Sequence, residues 1–234
     1  MGSTRLEGKV MKSLQGKTVL SHDIERIKQS KLIDEIIIAT TTLERDNIIV
    51  EEAIRNSVKF FRGSEDDVLE RYYLAAKENN AGIIVRLTSD CPLIDPHLID
   101  EMISYYLNHE FDLVTNGGEE KYRTYPRGLD TEVFSMESLE KAYLEAKQKY
   151  QREHVTPYIY ENSKSVFYYK NNIDYSHYRW TLDTNEDFEL INEIYKRLYK
   201  GKHDFYLKEV LELFNIDQSL YEINKEVKQK PTSN

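Results

Sequence analysis

Through the first two-thirds of the chain, short apolar runs alternate with stretches whose apolar residues recur at helical spacing. Residues 35–40 (EIIIAT), 58–61 (VKFF), 82–88 (GIIVRLT) and 111–115 (FDLVT) are short, rich in β-branched residues and almost continuously apolar. That pattern predicts strands buried on both faces. Between them, Val19, Leu20, Ile24 and Ile27 share one face of a first helix, and Ile48, Ile49 and Ala53 mark a second. Ser64, with Asp67 three residues on, predicts a capping pair opening a helix over 65–78. Asp95 followed by Pro96 predicts an N-cap and a first-turn proline, starting a helix that runs through Leu107. Such alternation predicts a three-layer α/β domain around a largely parallel sheet.

The remainder is less regular. It predicts strands at 131–134 and 166–169, with a helix over 135–147 between them. After Asp183, Thr184 caps a helix to about residue 199, and further helices follow at 206–214 and 218–225. The polar 228–234 is expected to fray. Without repeats or a long linker, the expected architecture is a single domain over 1–227 with a small insertion near 117–170.

Composition narrows the function classes. At 234 residues, 40% hydrophobic and 31% charged, the chain suffices for one sizeable soluble core. It carries no apolar run of membrane-spanning length and no leader-like start. A single cysteine excludes an internal disulfide framework, so a reducing cytoplasm is the expected location. A net charge of −9 argues against non-specific nucleic-acid binding, though not against an anionic substrate held by local cations and a metal.

Three segments carry candidate chemistry. Residues 2–9 (GSTRLEGK) form a small-residue turn with two cations. Arg5 can grip phosphate oxygens bidentately, and Lys9 can serve as a mobile point charge at the β/γ end of a triphosphate. A solvated turn with surface cations has the same composition. Asp90 follows the strand predicted at 82–88, where ligands of open α/β sheets gather, but an Asp before Cys-Pro also suits a tight turn. Asp183 follows a short strand expected at 179–182 and has the same two readings. Two strand-end carboxylates with substrate phosphates suffice for Mg²⁺. Cys91 reads as a packed small residue, and the 18 tyrosines as core and rim.

The segments GSTRLEGK at 2–9, EIIIATTT at 35–42, FRGSEDDVLERYY at 61–73, VRLTSDCPLIDP at 85–96, YPRGLDTEVF at 125–134, REHVTPYI at 152–159 and HYRWTLDTNEDFELI at 177–191 occur in one order over nearly the whole chain. In that order they resemble the cytidylyltransferase family that includes acylneuraminate and Kdo cytidylyltransferases, and most closely its spore-coat polysaccharide branch. The resemblance implies a Rossmann-like, GT-A-like nucleotide-diphospho-sugar transferase fold with a mostly parallel sheet. It implies that Ser3, Thr4, Arg5 and Lys9 hold the CTP phosphates, that Ala39, Thr40, Arg62, Gly63 and Ser64 lie near the base, and that Asp90 and Asp183 hold the metal. Gly128, Asp130, Glu132, Glu153 and His154 would line the sugar pocket, although 152–154 could equally be an exposed first helical turn.

The resemblance also implies an apolar strand and a Gln-Ala-Arg-Met segment ahead of the loop, whereas this sequence starts at that Met. On that reading the first strand is absent, the strands from 35–40 and 83–88 keep unpaired edges, and a phosphate-binding arginine is missing. The activity of such a shortened form is then left open. The implied reaction is Mg²⁺-dependent transfer of CMP from CTP to a sugar or sugar acid with release of pyrophosphate, serving surface polysaccharide or glycoconjugate synthesis. The expected partners are the nucleotide and the sugar, with no nucleic acid and no membrane insertion; a homodimer is compatible with this. The alternatives are a glycosyltransferase, which would show an Asp-x-Asp motif that Asp90-Cys91-Pro92 lacks, and a non-catalytic partner protein.

Overall fold

The computed structural model describes residues 1–2 and 5–229. Ser3 and Thr4 of the expected phosphate loop lie outside the described residues, as do 230–234 of the expected tail.

After a 3₁₀ turn at Lys9–Met11, strands β1 (Ser13–Leu14) and β2 (Lys17–Thr18) form a two-residue hairpin that the apolar pattern does not announce. Gln15 and Gly16 turn its corner with φ of 46° and 87°. Thr18 accepts the Ser21 N–H and so starts α1 (Val19–Ile27) on the expected apolar face. The chain continues through β3 (Ile37–Thr41), α2 (Asn47–Arg55), β4 (Lys59–Gly63) and α3 (Val68–Glu78), then β5 (Ile83–Arg86), α4 (Pro96–Leu107) and β6 (Leu113–Thr115). Next come β7 (Glu132–Ser135), α5 (Met136–Glu145), α6 (Lys149–His154), α7 (Pro157–Asn162) and β8 (Val166–Tyr168). Helices α8 (Asn185–Leu198), α9 (Leu207–Ile216) and α10 (Ser219–Asn224) close the fold.

Two expected boundaries are corrected. Helix α3 begins at Val68, because Asp67 is its cap and accepts the Glu70 N–H, while Ser64 only closes the preceding turn by accepting the Asp67 N–H. The strand expected at 179–182 is reduced to a single bridge between Arg127 and Arg179. Tyr178 and Trp180 face the 127 segment, which is too short to continue a ladder.

The sheet is divided. β3 and β4 pair in parallel, with Ile38 opposite Phe60 and Thr40 opposite Arg62. A four-stranded sheet runs in the order β5-β7-β6-β8, in which β7 alone opposes the others, with Val133 facing both Val85 and Val114. The reversal follows from the connection between β6 and β7, which contains only a 3₁₀ turn at Glu120–Tyr122. A parallel return generally runs through an α-helix, which this connection lacks. No described strand joins β3 to β5. A cavity of about 740 Å³ lies between them, lined by Ile36, Ile38, Ala39, Ile83, Val85 and Leu87 among others.

The core lies where α4 and α8 cover the central sheet. Trp180, Phe134, Val114, Val133, Ile99, Met102 and Ile191 have no exposed surface. Arg26 is also fully buried; its Nε donates to the Ile94 carbonyl at 2.7 Å and its Nη2 to that of Phe205 at 2.9 Å. These bonds tie α1 to the segment after Asp90 and to the carboxyl-terminal third.

Candidate active site

Asp90 sits in the loop between β5 and α4, four residues beyond the end of its strand. Backbone bonds fix the loop: the Leu182 N–H donates to the Asp90 carbonyl at 2.8 Å, and the Thr181 hydroxyl donates to the same oxygen at 3.2 Å. The buried Tyr195 hydroxyl on α8 holds the Pro92 carbonyl at 2.5 Å. Asp90 and Asp183 are therefore locked together through main chain, despite 92 residues between them. Cys91 is buried, and burial pushes its thiol well above the ordinary range, which suits packing and not nucleophilic attack.

Asp183 stands just ahead of α8, whose first turn is closed by a reciprocal box between Thr184 and Asp187. Asp187 has no exposed surface and accepts the N–H groups of Asp183 and Thr184 at 3.0 and 3.1 Å. Arg179 donates from Nε to Asp187 at 2.9 Å and from Nη2 to Asp183 at 2.8 Å. Asn224 on α10 completes the frame, donating to the Arg179 carbonyl and to Asp187, both at 2.9 Å.

Lys9 connects the two carboxylates. Its Nζ lies 2.7 Å from Asp90 Oδ2 and 2.8 Å from Asp183 Oδ1, and Arg5 approaches Asp183 Oδ2 at 2.9 Å. Burial alone would lower the lysine pKa, but the charge of Asp90 and the hydrogen bonds Lys9 donates to both carboxylates hold it above its usual value. Burial would likewise raise Asp183, yet its bonds and charge contacts with Lys9, and then Arg179 and Arg5, keep it below the ordinary carboxylate range. A cation already occupies the point where one oxygen from each aspartate converges, and the donors are hard oxygens. This set fits Mg²⁺.

The other expected residues are distributed unevenly. Ala39 lies on the cavity wall with Thr88 and Ser89, next to Asp90. Arg62 spends its guanidinium on the carbonyls of Thr41 (2.8 Å) and Leu43 (2.9 Å), Gly63 accepts from Thr42, and Thr40 is buried in β3. Asp130 is held by Arg123 and accepts the Gly128 N–H at 2.9 Å; burial opposes its charge, but Arg123 keeps it low. Glu132 is fully engaged, with Arg86 at 2.6 Å, Thr156 at 3.0 Å and Tyr160 at 2.8 Å. Residues 152–154 form the last turn of α6, not a first one; Arg152 pairs with Asp67, Glu153 is exposed and His154 half-buried.

Gly128 is demanded by geometry. Its φ is +106°, and a Cβ there would lie 2.5 Å from the Trp180 carbonyl carbon and 2.6 Å from the Thr181 nitrogen. Gly128→Ala should therefore destabilise the fold by about 3 kcal/mol, from left-handed strain plus overlap with backbone that cannot yield. Urea unfolding checks this; a loss under about 1 kcal/mol would mean that the 178–181 segment moves freely.

Against this geometry, the comparisons with known proteins are decisive. A family model described as cytidylyltransferase matches residues 1–223. This chain belongs to the cytidylyltransferase family. The solved structure of a cytidylyltransferase from Leptospira borgpetersenii superposes with a TM-score of 0.88 at 36% identity, over 99% of this chain and 95% of that one. An uncharacterised protein of Methanocaldococcus jannaschii is 41% identical over 98% of this chain and 93% of its own length. The spore coat polysaccharide biosynthesis protein SpsF of Bacillus subtilis is 31% identical over 92% and 90%. The α/β nucleotidyltransferase fold expected from the sequence is thereby shown.

Arg179, Asp187 and Asn224 of this cytidylyltransferase were not among the residues expected from sequence. The four-residue spacing of Arg179, Asp183 and Asp187 and the Thr184–Asp187 capping pattern would have flagged two of them; nothing local marks Asn224. Because Asp187 orients Arg179 and the backbone of Asp183, Asp187→Asn should lower turnover about 10–100-fold and raise the Mg²⁺ needed for half-maximal rate. A Mg²⁺ titration of rate reads both effects. Unchanged values would reduce Asp187 to a helix cap.

Proposed function

We propose that this protein transfers CMP from CTP to a hydroxyl of a sugar or sugar acid, releasing pyrophosphate, in the synthesis of surface polysaccharide or glycoconjugate. The observation that carries the reading is the convergence of Asp90, Asp183 and Lys9 on one point, with Arg5 and Arg179 beside it. An acidic pair that gathers three cations suits a substrate bringing its own negative charge and a divalent ion. Membership of the family and the polysaccharide role named for SpsF support the same direction.

The sugar oxygen forms a bond to the α-phosphorus as the bond from that phosphorus to the bridging oxygen breaks, and the hydroxyl proton is lost. Mg²⁺ held by Asp90 and Asp183 would withdraw charge from the α-phosphate. Arg5 and Lys9 neutralise the departing pyrophosphate, and Arg179 keeps Asp183 in place. The Asp130 and Glu132 region, buttressed by Arg123 and Arg86, borders the acceptor and sets its orientation.

Pyrophosphate release from each of the four nucleoside triphosphates, measured with a panel of sugars and sugar acids in the presence of Mg²⁺, tests the reading. CTP-dependent release that requires an acceptor is expected. Release with sugar transfer from a nucleotide sugar instead would indicate a glycosyltransferase, and nucleotide binding without turnover a partner protein.

A further inference from the structure

Helix α1 places His22 and Glu25 one turn apart on the same face, and the turn at Gly201 brings His203 against them. One ring nitrogen from each histidine and one Glu25 oxygen all lie within 4.8 Å of one another. Both imidazoles are buried, while Glu25 is half-buried. The arrangement lies outside the carboxylate site and plays no part in it.

The hydrogen-bond network fixes the tautomers. His22 Nε2 lies 2.7 Å from the Leu14 carbonyl, so it must be the N–H that donates, leaving Nδ1 as an acceptor. His203 Nε2 is 2.8 Å from that acceptor and must carry a proton. In a neutral ring His203 Nδ1 then has only a lone pair, and it faces Glu25 Oε2 at 3.4 Å. Two acceptors look at each other with no hydrogen between them. A cation between these groups, whether a ring proton or a metal ion, resolves the clash. Neutral imidazoles are the form that ligates metals.

We propose that His22, His203 and Glu25 form a site for a borderline-soft divalent cation of the Zn²⁺ class, distinct from the Asp90–Asp183 pair. The ion replaces the proton between the two rings; that proton shifts to His203 Nδ1, where the ring stays neutral and donates to Glu25 Oε2, leaving the other carboxylate oxygen for the ion. Metal–nitrogen bonds of about 2.0–2.1 Å at a tetrahedral angle need the nitrogens about 3.4 Å apart, so the rings must separate by about half an ångström. The His22-to-Leu14 bond is the outer contact that orients a ligating histidine and fixes its tautomer. Lys17, at 2.5 Å from Glu25 Oε1, holds the carboxylate when no ion is bound; its side chain is 39% exposed and can turn away. The bound ion would clasp α1 to the segment after α8.

Co²⁺ serves as the probe, added to chelator-stripped protein. The expected result is one equivalent giving the strong visible bands of a four- or five-coordinate imidazole site. Carboxylate-bound octahedral Co²⁺ at Asp90 and Asp183 absorbs only weakly, so the two sites are told apart. Glu25→Gln and His203→Asn should each weaken the strong-band titration about tenfold or more. Glu25 is near the surface, so its variant keeps the test valid if His203→Asn folds poorly. Mg²⁺-dependent pyrophosphate release should be unchanged in Glu25→Gln. Absence of strong bands up to millimolar Co²⁺, or bands whose midpoint is the same in both variants, would overturn the site.

Discussion

Asp90→Asn and Asp183→Asn should each lower pyrophosphate release by ~10²–10⁴-fold, because in the proposed reaction each removes one of two charges that would hold the ion stabilising the α-phosphate. The two variants should differ in stability. Among the described residues Lys9 is the one cation paired with Asp90, whereas Asp183 is the common partner of Lys9, Arg5 and Arg179. Neutralising it leaves three cations facing one another with less to offset them. The depressed pKa of Asp183 gives this a pH signature. A carboxylate whose folded pKa lies below its unfolded value adds stability at pH above that unfolded value, and the contribution is lost as pH falls through the folded one. With an ordinary value of 3.8, the wild-type protein should lose this stabilisation below about pH 4, while Asp183→Asn lacks it throughout. Steady-state rates with Mg²⁺ and unfolding curves at pH 7 and pH 3 decide the matter. Near wild-type turnover in either variant would remove that aspartate from the metal site.

The elements were legible where periodicity and capping agree. Helix α4 starts at Asp95-Pro96 as expected because Asp95 accepts the His97 N–H at 2.9 Å, a bond that the side chain itself dictates. Thr184 and Asp187 fix α8 in the same local way. The β1–β2 hairpin escaped because two-residue strands bury too little to leave a pattern, and Leu14 is its one buried side chain. The reversal of β7 escaped for another reason. Its Val133 and Phe134 are buried on both faces whichever way the strand runs, so apolar content carries no direction.

The site divides along the same line. Lys9, Asp90 and Asp183 could be nominated one by one, since cations in a glycine turn and acids after strands are local features. Their convergence depends on Leu182 and Thr181 bonding to Asp90, a contact between distant segments. Glu132 shows the opposite outcome. The family resemblance places it on the sugar side, but three partners already bond its oxygens. It therefore supports the pocket through Arg86 and Tyr160. Buried carboxylates and their partners cannot be sorted into binding and bracing roles until the donors to both oxygens are counted.

Lys9→Met should have opposite effects on two ligands. In the structure the ammonium lies on the oxygens that a divalent ion needs, at 2.7 and 2.8 Å. Lysine and ion therefore compete. Methionine keeps the length of the side chain and removes the charge, so Mg²⁺ should bind more tightly, by about tenfold for the loss of one close competing cation. When CTP is present the same ammonium is assigned to the β/γ phosphates. A charge-assisted hydrogen bond is worth about 1.5–3 kcal/mol, so CTP should bind about 10–100-fold more weakly in the variant. CMP lacks those phosphates and should change by less than about threefold. Titration calorimetry with Mg²⁺, CTP and CMP separately gives all three numbers. Equal losses for both nucleotides, with weaker Mg²⁺ binding, would show that Lys9 is a clamp holding Asp90 against Asp183. Tighter Mg²⁺ with a selective loss of CTP would show a lysine that exchanges its carboxylates for phosphate when the substrate arrives.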